Sequence, residues 1–155
     1  IFLASILKGI IWAKTTKTKI SFALISRFLA LNLVWMGFWF GLVILISLFV
    51  QPASAPMFML IAIVLGLYFT NTLYTIFMKE QKFKSIISAV KLNVAKIHLF
   101  ALPYLVIFAL FYIISKLFGL FKFQYSSILF GLVLLVYAAI VRYYVSELVL
   151  KVEKL

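Results

Sequence analysis

Between Phe28 and Met78 the chain places no Asp, Glu, Lys or Arg. Its apolar run breaks only at Gln51-Pro52-Ala53-Ser54-Ala55-Pro56. An α-helix rises ~1.5 Å per residue, so roughly 20 apolar residues cross the ~30 Å hydrocarbon core of a bilayer. Leu29–Val50 and Met57–Met78 each reach that length, and the proline-bounded break is long enough only for a tight turn. The pattern predicts a transmembrane helical hairpin.

Upstream, Lys14-Thr15-Thr16-Lys17-Thr18-Lys19 is a polar, basic connector. Ser21–Ala30 reads as helical, with Ile20, Leu24, Phe28 and Leu31 near one face. Ile1–Ala13 is apolar apart from Lys8 and too short to span alone. It reads as the end of a truncated span or as a short interfacial helix. The truncated span is preferred, because it puts Trp12 at the interface beside the Lys14 loop. Nothing basic precedes it, so it does not resemble a signal peptide.

Downstream, Glu80–Lys96 has the strongest amphipathic period in the chain. Phe83, Ile86, Ile87, Val90, Val94 and Ile97 recur at i, i+3, i+4, i+7, i+11 and i+14, an apolar stripe on a helix. Lys84, Ser88 and Lys91 occupy the neighbouring polar face, Lys82 and Lys96 flank the other side, and Leu92 departs from the pattern. Such a helix lies in the headgroup layer with its lysines towards anionic phosphates. A third span is expected at Ile97–Lys116, with Pro103 in its first turns, and a short turn at Gly119–Gln124. A fourth span follows at Tyr125–Val145. In the tail Ser146–Leu155, Glu147 and Lys151 stand at i, i+4 and support further helix.

The fold class that follows is all-α: a polytopic integral membrane helical bundle with four full transmembrane helices in two hairpins, plus basic interfacial segments. Composition agrees, since 67% of the residues are hydrophobic and only 12% charged, where soluble domains carry about 25% charge. One membrane domain covers the 155 residues. The formal charge of +12, from fifteen Lys+Arg against three acids, sits in short blocks beside the spans. That placement points to anionic headgroups and topology rather than to nucleic acid, for which no basic-aromatic recognition module is present. The 14–27 segment holds four Lys or Arg, the 79–96 segment five, and the chain from 142 onward three. The opposite turns hold none and two, Lys116 and Lys122. By the positive-inside rule the amphipathic segments and the C-terminus are therefore cytoplasmic, in a multi-pass cell-membrane protein.

Each half thus reads as a basic interfacial helix, a span, a short outer turn and a returning span. A shift of 64 residues sets Ser21 on Ser85 and Arg27 on Lys91, as parallel repeats would. On those positions the Lys19–Lys151 architecture resembles the membrane domain of glycerophosphoryl diester phosphodiesterases and related six-helix membrane families. The resemblance implies that Ile1–Ala13 ends a preceding unit. It implies no activity, because the soluble phosphodiesterase domain with its metal-binding acids is not in these residues.

Candidate chemistry is sparse. The only acids are Glu80, Glu147 and Glu153, the only histidine is His98, and there is no Asp or Cys. No metal cluster, Ser-His-Asp triad or thiolate site can be assembled, so no catalytic, cofactor or metal residue is assigned. Ser88-Ala89-Val90-Lys91 matches the S-x-x-K pattern of serine acylases without its companion motifs, and reads as coincidence. His98 reads as an interfacial or packed histidine.

One polar constellation stands out. Tyr68, Asn71, Thr72 and Thr75 fall at i, i+3, i+4 and i+7 on the expected second span. Unpaired amides and hydroxyls are costly in hydrocarbon, so they form either an interhelical hydrogen-bonded seam or a polar vestibule open to the cytoplasm. Asn32 and Arg142 would stand on the rim of that vestibule, although Arg142 could instead snorkel or pair with Glu147. Gly37 and Gly41 form a GxxxG, and Ser127 and Gly131 a small-xxx-small pair. Both permit close helix approach, within the monomer in preference to a homo-oligomer. Trp35, Trp39 and Phe40 read as packing groups. The expected role is a non-enzymatic membrane scaffold or accessory domain packing with lipid or partner subunits, with a small transporter or permease component as the alternative.

Overall fold

The computed structural model describes residues 2–120 and 126–154. All regular structure among them is helical: α1 (Phe2–Thr15), α2 (Phe22–Phe49), α3 (Ala55–Glu80), α4 (Ser85–Ala95), α5 (Ile97–Leu120) and α6 (Ser126–Val152). Four of these, α2, α3, α5 and α6, are long and apolar enough to cross a membrane. In their most apolar stretches only 17, 28, 11 and 6% of residues are buried. The many outward-facing Leu, Ile, Val and Phe side chains suit lipid rather than water, which is compatible with a multi-pass membrane protein.

Local sequence accounts for the helix ends. The Ser21 hydroxyl caps α2 by accepting from the Leu24 amide at 3.2 Å, satisfying one of the orphan donors of the first turn. Pro56 lies in the first turn of α3, where its missing N–H costs nothing. Gln81 ends α3 in the left-handed region, φ 55°, with its amide donating to the Phe77 carbonyl at 2.7 Å.

The chain divides into two compact units, Ile1–Lys91 and Leu92–Leu155. In the first, α1 and α3 both run antiparallel to α2. Residue pairs fix the register: Ser5 meets Asn32 and Gly9 meets Phe28 on one side, while Phe28 meets Phe77, Trp35 meets Thr70 and Trp39 meets Gly66 on the other. Of the glycines, Gly9 is the most closely approached: an added Cβ would lie 2.9 Å from the Phe28 ring. Leu24, Phe28, Leu31, Leu73, Phe77 and Met78 are fully buried around this three-helix contact.

In the second unit α5 and α6 form an antiparallel hairpin. Phe118 packs on Phe130 at 5.2 Å between ring centroids, and the Tyr137 hydroxyl donates to the Ile107 carbonyl. Helix α5 continues through Pro103. It also continues through Gly119, where a turn was expected, because Leu117, Phe118 and Leu120 extend its apolar run. Residues 121–124 of that expected turn, Lys122 among them, and Tyr125 at the expected start of the fourth span lie outside the described residues. The C-terminal tail is helical to Val152, as the Glu147/Lys151 spacing implies.

Trp12 is buried within the protein, 2% exposed, with its ring edge-on against Tyr74 at 5.7 Å. Two expectations are corrected. Gly37, Gly41 and Gly131 do not mediate close packing within the chain, since among the described residues nothing lies within 4 Å of a Cβ built at any of them; Ser127 is likewise exposed. The two close-packed glycines are instead Gly9 and Gly66, which belong to no GxxxG motif. The halves also differ where the repeat requires likeness. Ser21 caps one uninterrupted helix of 28 residues, whereas Ser85 begins a separate helix of 11.

Candidate functional site

The polar groups of the first unit gather where α1, α2 and α3 meet. Asn32 is fully buried at their centre. Its side-chain nitrogen donates to Ser5 Oγ of α1 at 2.6 Å, and its side-chain oxygen accepts from the Tyr74 hydroxyl of α3. One amide therefore ties three helices. About one helical turn further along α2, Trp35 donates its indole N–H to Thr70 Oγ1 at 2.8 Å. A single buried Asn is sufficient for this node because an amide both donates and accepts.

The expected stripe on α3 divides in two. Thr72 and Thr75 are fully buried, and their hydroxyls bond back to the Tyr68 and Asn71 carbonyls, at 3.4 and 2.9 Å. Tyr68 and Asn71 themselves are half-buried. Asn32 is therefore part of the seam itself rather than of a rim. It enters through Tyr74 and Ser5, which hydrophobic period did not single out. A tyrosine amid apolar neighbours and a serine in a short N-terminal helix carry no spacing signal until the helices are paired. Arg142 lies half-buried on α6 in the second unit.

Beside the seam runs a cleft of about 410 Å³ between α2 and α3. Trp35, Trp39, Phe40 and Val43 form its α2 wall, while Ala62, Ile63, Gly66, Leu67 and Thr70 form its α3 wall. Lys8 and Tyr74 lie at one end, with the Lys8 ammonium 5.9 Å from the centroid of the Tyr74 ring. Helix α1 meets α2 at Ile25, Phe28 and Asn32, and the cleft runs on past them between α2 and α3. Trp39 lies against Gly66 in this stretch, and its buried indole N–H has no hydrogen-bond partner among the described residues.

On α4 the buried face is the one that carries the small residues. Ser85, Ala89 and Asn93, at i, i+4 and i+8, are buried, whereas Phe83, Ile87, Val90, Val94 and Ile97 are exposed. The small residues pack inward, and the apolar stripe faces out beside the exposed Lys82, Lys84 and Lys91. Lys96 is half-buried. Ser85 Oγ donates to Glu80 at 2.8 Å, tying the start of α4 to the end of α3. Among the described residues there is no group of three or more His, Cys, Asp or Glu that could hold a metal ion.

No known protein family, curated protein or solved structure matches the chain.

Proposed function

We propose that the chain is a non-enzymatic, multi-pass integral membrane domain that packs with lipid or partner subunits as a scaffold or accessory element. The observation that carries this reading is the closure of the polar seam. Asn32 and Tyr74 are buried and join three helices by hydrogen bonds, while the buried Thr72 and Thr75 hydroxyls bond carbonyls of their own helix; groups satisfied inside the protein in this way suit helix packing better than the lining of a hydrated path. The exposed apolar stripe of α4 and its lysines support contact with an anionic headgroup layer. The lysine-rich 14–27 and 79–96 segments put that layer on the cytoplasmic side.

The half-buried Tyr68 and Asn71 favour a second reading, a small transporter component with a polar vestibule. An Asn71→Cys variant treated with a small charged thiol reagent in intact membranes separates the two. The chain has no native cysteine, so any signal comes from the introduced thiol. The scaffold reading expects slow labelling while a Ser54→Cys control reacts. Fast labelling at position 71 would replace it with the transporter reading.

A further inference from the structure

We propose that the cleft between α2 and α3 is a binding site for an anionic membrane lipid, with one hydrocarbon chain along the Trp39–Gly66 groove and the headgroup drawn to Lys8. The proposal rests on the lipid-packing reading above and adds a headgroup preference and a place to it.

The cleft is polar at one end only. From Tyr74 to Ala62 it follows α3 for twelve residues, ~18 Å along the helix. Beyond Lys8, Tyr74 and Thr70 its walls are aliphatic and aromatic. A groove of that length and character accommodates an extended hydrocarbon chain, whose burial is favoured in proportion to the apolar area covered.

Charge selects the head. Lys8 is the only charged side chain on the lining, and no lining residue among those described is acidic. The field at that end of the cleft therefore favours an anion. Tyr74 lies six residues, ~9 Å, from the α3 end at Glu80. A lysine at that depth extends its ammonium towards the headgroup layer while its methylenes stay in hydrocarbon. The same end of the unit carries the basic 14–19 connector, whose Thr18 hydroxyl donates to the Met78 carbonyl at 3.4 Å. A lipid entering there meets cations first and the apolar groove beyond them. A zwitterionic lipid would gain the same groove but would bring its own cation to Lys8.

The test uses the full chain in phosphatidylcholine nanodiscs carrying a small fraction of either phosphatidylglycerol or phosphatidylcholine with a photoreactive acyl chain. Cross-linked peptides are mapped by mass spectrometry. The expected result is labelling of the segments around Trp39 and Gly66 that is about tenfold stronger with phosphatidylglycerol, the ratio one charge-assisted contact supplies. Lys8→Gln should bring the two lipids level, and Lys8→Arg should keep the preference. Leu67→Trp, which adds bulk from an exposed position on the lining, should reduce labelling by both. Circular dichroism in the same nanodiscs identifies any variant that fails to fold, and Lys8→Arg and Leu67→Trp carry the test if Lys8→Gln does. Equal labelling by the two lipids in the unaltered protein would overturn the headgroup assignment while leaving a lipid-packed domain in place. Strong labelling elsewhere with none at Trp39 and Gly66 would overturn the site. Neither result depends on Asn71, so a failure here is distinct from a failure of the scaffold reading.

Discussion

Tyr74 of α3 donates its hydroxyl hydrogen to the side-chain oxygen of Asn32 in α2, and both residues are almost completely buried. Asn32 passes the connection on to Ser5 of α1, so one bond belongs to a node shared by three helices. Interhelical hydrogen bonds in membrane proteins average about 0.6 kcal/mol and reach about 1.7. Loss of the Tyr74 hydroxyl should fall in that range. Loss of Asn32 should cost more, because it strands two partners at once. Unfolding in detergent is therefore expected to show Tyr74→Phe destabilised by about 0.5–1.5 kcal/mol and Asn32→Ala by about 1–3 kcal/mol. Asn32→Ala no worse than Tyr74→Phe would mean that the Ser5 arm contributes nothing.

The glycines offer a paired contrast. A Cβ at Gly9 would lie 2.9 Å from the Phe28 ring, whereas one at Gly37 meets nothing within 4 Å among the described residues. Phe28 is fully buried and cannot yield freely, so Gly9→Ala should loosen α1 and cost about 1–3 kcal/mol as overpacking does. Gly37→Ala should stay within about 0.5 kcal/mol of the parent, as exposed substitutions usually do. Thermal unfolding of the two variants side by side checks the ranking. The reverse order would place Gly37 at an interface between copies of the chain.

Two tryptophans a helical turn apart differ in one hydrogen bond. The Trp35 indole donates to Thr70, and the Trp39 indole N–H is buried with no partner among the described residues. Removing a satisfied donor costs about 0.5–1.5 kcal/mol, whereas removing an unsatisfied one relieves a desolvation penalty. Trp35→Phe is expected to destabilise by about 1 kcal/mol more than Trp39→Phe, measured as a difference in detergent unfolding. Equal losses would mean that ring volume alone decides both sites.

Orientation is open to direct labelling. Ser54 lies in the short connection between α2 and α3, where the flanking residues carry no charge. The positive-inside rule, applied to the lysine-rich segments, predicts that connection on the outer side. Ser54→Cys should react with a membrane-impermeant thiol reagent added to intact cells. Reaction only after permeabilisation would reverse the assigned topology.

Much of the architecture was legible in the residue pattern. The charge-free stretch and its Pro-bounded break are enough to define α2, α3 and the turn between them, because a long apolar helix has few ways to hide its side chains. The same holds for the existence of α5 and α6. The amphipathic α4 was legible in position, and its apolar stripe lies on the exposed side; that Ser85, Ala89 and Asn93 take the buried face was not legible, because hydrophobic period marks the apolar side of a helix and says nothing of which small polar residues meet a neighbour.

The site was less legible, for a related reason. Spacing on α3 singled out Thr72 and Thr75, whose hydroxyls turn out to bond their own helix, while Asn32, Tyr74 and Ser5 converge from segments 27 and 42 residues apart. Convergence of that kind depends on helix register, and register is set by packing: by Gly9 against Phe28 and by Trp39 against Gly66. The GxxxG at Gly37 and Gly41 illustrates the converse, a motif whose neighbours did not arrive. Apolar length and charge placement, which act residue by residue, determined the helices and their connections. The polar node and the Lys8-ended cleft exist only because three helices paired in one register, and pairing is a property of surfaces brought together rather than of any single stretch.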